Sequence, residues 1–122
     1  MTERDLGTLL ATLDVHVHEG VWAYGSGGAS PGAVFTFVER EGPCFIAPAT
    51  ADTPDENRWT WLELTVYSDL NAVGFLARVA GALANAGIPC NAIAGLNHDH
   101  IFVPARSAGD AKSALMALAK TA

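Results

Sequence analysis

From residue 62 onward the apolar positions change period in a fixed succession, and that succession constrains the fold more than any other feature. Leu62, Leu64 and Val66 alternate with Glu63, Thr65 and Tyr67, the two-residue repeat of a half-buried strand. Ser68 and Asp69 then offer helix caps, and Val73, Leu76, Ala80 and Leu83 fall into a helical stripe that stops at Gly87 and Pro89. Asn91–Leu96 and Ile101–Val103 are two short strands joined around Asn97-His98-Asp99-His100. Ser107 with Asp110 opens a last helix that turns Ala111, Leu115 and Leu118 inward. Strand, helix, strand, strand, helix is the split βαβ order of a ferredoxin-like α+β fold, with helices covering one face of an antiparallel sheet.

The first half has elements of the same scale. Leu6, Leu9, Leu10 and Leu13 share one helical face, with Thr2 and Asp5 as a capping box and Asp14 as the stop. Strands are expected at Val15–Val17, Val21–Tyr24, Val34–Val38 and Cys44–Ala47, with a mobile connection over Gly25–Gly32 and a polar loop over 48–58. Neither half, at about 60 residues, is comfortably stable alone. Two small α+β units in tandem, residues 1–58 and 59–122, are the economical organisation.

Thirteen acidic residues against seven Lys and Arg give a net charge of −6, the wrong sign for tracking phosphates, so no nucleic acid is expected. No apolar run approaches the ~20 residues of a membrane span, and the opening MTERDLGTLL lacks a basic leader, so a cytoplasmic protein with no membrane partner is expected. Cys44 and Cys90 form neither a disulfide framework nor a zinc set and suit reduced core thiols.

Four groups of residues carry candidate chemistry. The histidines fall in two His-x-His pairs, His16/His18 and His98/His100, and on a strand each pair points to one face. The two pairs can hold a metal only if they converge in space. Gly25–Gly32 matches neither phosphate-binding glycine motif. Ser68, Asp69 and a distant histidine lack a nucleophile elbow, and a serine at a helix start is a cap. Tyr67-Ser68-Asp69-Leu70-Asn71-Ala72-Val73-Gly74 joins strand to helix, where free amides and the helix dipole suit a carboxylate. Gly74 permits close approach, and Asp69 or Asp99 can accept an ammonium. The competing reading is that Asp69 merely caps the helix and Gly74 permits close packing.

The stretch LELTVYSDLNAVGFLARVAGALANAGIPCNAIAGLNHDHIFVPA resembles the ACT domain, a βαββαβ ligand-binding module of amino-acid metabolism. More narrowly it is similar to bacterial stand-alone tandem ACT-like proteins of unestablished function, and more distantly to the ACT repeats of the cytosolic arginine sensor of animals. Residues 60–118 carry the denser likeness, while Asp5-Leu6, Leu9-Leu10 and Ala33–Val38 carry a looser one to the partner unit. The resemblance implies a non-catalytic sensor for a small molecule, an amino acid by expectation, with no cofactor and no metal. It places ligand contacts at Ser68, Asp69, Val73, Gly74, Ala94, Asn97, His98 and Asp99, and implies a homodimer. The loop departs from the Asp-x-Pro-Gly often found there, reading Asp69-Leu70-Asn71-Ala72. The alternatives are a metal-binding protein using the histidine pairs and a ligand-free assembly module.

Overall fold

The computed structural model describes residues 2–28 and 30–121; Ala29, in the expected Gly25–Gly32 connection, lies outside the described residues. Among the described residues three α-helices, α1 (Leu6–Ala11), α2 (Phe75–Asn85) and α3 (Ala108–Lys120), accompany seven strands. The strands are β1 (Val15–Val17), β2 (Trp22–Ser26), β3 (Phe35–Glu39), β4 (Gly42–Pro48), β5 (Trp59–Leu64), β6 (Asn91–Ala94) and β7 (Asp99–Pro104). They form one antiparallel sheet ordered β3-β4-β2-β5-β7-β6, with β1 also paired to β5.

β7 occupies one edge of β5 from Trp59 to Glu63. On the other edge β1 covers Leu62 to Leu64, and β2 meets β5 at Trp22 opposite Trp59. The order β1-β5-β7-β6, with helices on one side, is a four-stranded ferredoxin-like sheet whose outer strand comes from the first half of the chain. The described first half carries a single α-helix, of six residues, and one 3-10 turn at Asp55–Asn57. This ferredoxin-like set thus draws its strands from both residues 1–58 and residues 59–122.

Strand pleating splits the interior in two. Leu62, Leu64, Ile101 and Val103 point to the helix side, where they bury against Leu9, Leu10 and Leu13, then Phe75, Val79 and Leu83 of α2 and Ala111 and Leu115 of α3. Trp61, His100 and Phe102 point to the other side. In a flat sheet β3 would lie four strand spacings, about 19 Å, from β7. The rings of Phe35 on β3 and Phe102 on β7 are instead 6.0 Å apart, as are those of Tyr24 and Phe102. The sheet therefore folds back on itself and closes a second, aromatic core around the fully buried Ile46 and Phe102.

Local chemistry shifts several expected boundaries. Asp5, not Thr2, caps α1, its carboxylate accepting from the Thr8 amide at 2.9 Å. α2 begins at Phe75, behind Gly74 in the left-handed region at φ +90°, so Ser68 and Asp69 are not its caps. That delayed start rotates the buried stripe to Phe75, Val79 and Leu83 and leaves Val73 84% exposed. Gly25 belongs to β2 rather than to the connection, and lies under the Phe45 ring so closely that a Cβ would sit 2.5 Å from Cζ. Cys44 and Cys90 are free and half-buried.

Candidate functional site

The strand-to-helix loop 65–74 and the turn between β6 and β7 bound a cleft of about 150 Å³. Four of the expected contact residues line it: Ser68, Asp69, Ala94 and Asp99. Asp99 opens β7 with its side chain on the helix side of the sheet and is 6% exposed. The Ser68 hydroxyl donates to Asp99 Oδ2 at 2.9 Å, a buried charge-assisted bond that ties the loop to β7. Phe75 and Leu76, in the first turn of α2, supply an apolar wall. No side chain caps that helix, so its first amides are free of an internal partner at the cleft's edge.

Asp69 sits at the rim. Its Oδ2 accepts from Thr2 Oγ1 at 2.6 Å, and its Oδ1 accepts from the Asn71 amide at 2.8 Å and faces Arg4 Nε at 3.1 Å. The Thr2 and Asn71 bonds lead the forces that hold its carboxyl at a pKa of about 2.

The other four expected contacts lie elsewhere. Val73 and Asn97 are exposed and outside the cleft lining. Gly74 shapes the entry to α2 and is outside the cleft lining, and a Cβ there would face Leu6 Cδ2 at 3.6 Å. His98 is the neighbour of Asp99, and the pleat sends it to the opposite face of the sheet. There its Nδ1 sits 3.1 Å from the Leu64 carbonyl and 3.3 Å from that of Val66, so this nitrogen donates.

On that opposite face the histidine pairs meet in part. His18 Nε2 donates to Glu63 Oε1 at 2.9 Å, and His98 Nε2 lies 3.8 Å from Glu63 Oε2. His18 also stacks on Trp61 with ring centroids 3.6 Å apart. Burial opposes the charge on Glu63, but the His18 bond and the surrounding imidazoles prevail and keep its carboxyl below the usual range. His100 instead accepts from Trp61 Nε1 at 3.0 Å, and burial holds its pKa down. His16 is exposed. Among the described residues no group of three or more His, Cys, Asp or Glu is arranged to hold a metal ion.

Sequence reasoning missed Phe75, Leu76 and Gly95 in the cleft. The two apolar residues carried a signal, since both head the helical stripe once α2 starts at Phe75. Gly95 carried none by composition. Its amide donates to the His98 carbonyl at 2.9 Å, and a Cβ there would be 2.8 Å from the same oxygen. Glu63 as the meeting point of two histidines needs three distant segments in register, which no local pattern encodes.

Comparison with known proteins bears on this geometry. The ACT domain family matches residues 58–117. A Vibrio cholerae protein of unknown function, described as a possible transport protein, is 31% identical over 93% of this chain and 95% of its own, with a TM-score of 0.79. An Agrobacterium tumefaciens protein at 17% identity, covering 88% of this chain and 89% of its own, shares the fold with a TM-score of 0.63. No curated protein matches the chain. No helix among the described residues is long and apolar enough to cross a membrane.

Proposed function

Since this chain belongs to the ACT-domain family, we propose that it is a non-catalytic regulatory module that binds a small free amino acid in the cleft between loop 65–74 and the β6–β7 turn. The observation that carries the reading is the buried Asp99 carboxylate, whose Oδ2 accepts from Ser68 on the cleft wall. A carboxylate withdrawn from water is costly unless cations or donors surround it. The ammonium of an amino acid supplies that charge, and the uncapped first turn of α2 suits its carboxylate. The volume of about 150 Å³ equals roughly five water volumes, which selects for a short side chain.

The test is a thermal melt of the native chain and of Asp99→Asn against each of the twenty amino acids. A ligand at 100 times its Kd stabilises by about 2.7 kcal/mol, several degrees in Tm. A small amino acid is expected to raise the Tm of the native chain and not that of Asp99→Asn. An amino acid that raises both equally binds elsewhere and overturns the assignment of this cleft.

The same reading extends to a cytoplasmic homodimer. β3 and β6 end the sheet order, and open sheet edges are templates for pairing with a second copy. Sedimentation is expected to give twice the chain mass, and a particle of 12.7 kDa rejects the dimer.

A further inference from the structure

The rim of the cleft is already occupied by the chain itself. Residues 2–5 run beside loop 65–74 as a one-residue parallel bridge between Glu3 and Ser68. The Glu3 amide donates to the Tyr67 carbonyl at 2.8 Å, and the Asp69 amide donates to the Glu3 carbonyl at 2.9 Å. That pairing sets Thr2 and Arg4 on either side of Asp69, where one donates a hydroxyl and the other presents a guanidinium. The strap is anchored at its far end: Glu3 Oε2 accepts from the amides of Arg4 and Asp5 at 3.0 Å each, and Asp5 caps α1. Leu9 and Leu10 of α1 are core residues, so the anchor is as firm as the fold.

We propose that Arg4 is a tethered occupant of the cleft rim, a cation held on Asp69 by the strap and displaced when the ammonium of a ligand seated on Asp99 also draws on the Asp69 carboxylate. This inference rests on the reading of the cleft as an amino-acid site and adds a regulatory element to it. The geometry suits reversible release. Arg4 is 67% exposed on its side-chain surface, so the guanidinium exchanges Asp69 for water at little cost, whereas the Asp69 carboxylate, 18% exposed, is left needing a replacement. A tethered competitor lowers the apparent affinity for free ligand by the factor with which it favours its own contact, about fivefold for a pair this exposed. The strap then raises the ligand concentration at which the cleft fills by that factor. Its bond set also couples occupancy to α1: when Arg4 leaves, the Thr2, Glu3 and Asp5 contacts remain to hold the segment between the helix and the loop.

The test compares the native chain with Arg4→Gln and Thr2→Val, each melted against all twenty amino acids at 10 mM. Arg78→Gln, an exposed arginine on α2, serves as the control. Removing the competitor is expected to tighten binding about fivefold, so one or more amino acids give a larger Tm rise in Arg4→Gln than in the native chain, with Arg78→Gln matching the native response. The Arg4 Nε–H resonance of the native chain is expected to move toward its free position as that amino acid is added. Equal Tm rises in Arg4→Gln and the native chain, with an unmoved Arg4 resonance, overturn the strap and leave the cleft reading in place. No response in any variant overturns both. The unliganded melts report whether each variant is folded, and Thr2→Val tests the same rim should Arg4→Gln fail to fold.

Discussion

Replacing Leu10 with alanine tests whether the first half of the chain is part of the ACT sheet's core or a separate unit. Leu10 is 3% exposed and belongs to the cluster that includes Leu62, Leu64, Val79 and Leu115. Truncating a leucine so enclosed costs about 3 kcal/mol, from lost transfer energy and the cavity left behind. A chain of 122 residues has a total stability of roughly 6–18 kcal/mol, so the change removes a sixth to a half of it and lowers Tm by about 10 °C. Urea unfolding read by two probes decides the matter. Far-UV circular dichroism follows the helices, and fluorescence follows Trp22, Trp59 and Trp61. Trp22 and Trp59 pair across the β2–β5 seam, and Trp61 lies on the aromatic face. Both probes are expected to move together to a lower midpoint in Leu10→Ala. Two separated transitions, or a loss under about 1 kcal/mol, refute the shared core.

Gly25→Ala places a Cβ 2.5 Å from Phe45 Cζ, and is expected to lower stability by about 1–2 kcal/mol, with recovery in the double variant with Phe45→Leu; a gain in Tm from the single change contradicts the packing described. Ser68→Ala removes the donor to the buried Asp99 carboxylate, and denaturant melts are expected to show a loss of about 1.5–3 kcal/mol, where a neutral result means Asp99 has another partner. The native Asp69 pKa of about 2 lies below its ordinary 3.8, so its contribution is present above pH 4 and is lost as pH falls toward 2. Urea midpoints of Asp69→Asn are expected to fall less steeply than those of the native chain across that window, and parallel curves reject the assignment.

Period and capping made much of the architecture legible. The alternation at Leu62 and Leu64 and the leucine face of α1 both point into the helix-side core. The stripe of α2 was readable but misphased, because Gly74 at φ +90° delays the helix by several residues and only the three-dimensional loop shows that. The aromatic core was hidden for a different reason. Its members, Tyr24, Phe35, Trp61 and Phe102, lie on four strands brought together by the curling of a sheet, and strand periodicity says which face a ring takes but not what covers it. Within the cleft, Ser68, Asp69, Ala94 and Asp99 were placed by the family resemblance. His98 is not among the residues lining the cleft; its Nδ1 meets the Leu64 and Val66 carbonyls, contacts that its place beside Asp99 in the sequence does not reveal. Arg4 escaped notice because its partner lies 65 residues along the chain.

The strand that completes the four-stranded sheet is the first to be made. As the chain leaves the ribosome, β1 emerges long before β5 exists to receive it, and Val15 waits for Leu64. At roughly 5–20 residues per second, that wait lasts several seconds, far longer than a local turn or helix takes to form. The leucines of α1 are meanwhile without their core, a state that invites chaperone contact or pairing with a neighbouring nascent chain. The helix-side core cannot close until Ala111 and Leu115 of α3 are also free of the exit tunnel. Closure of the helix-side core therefore comes late, and a ribosome stalled before α3 emerges leaves that core open.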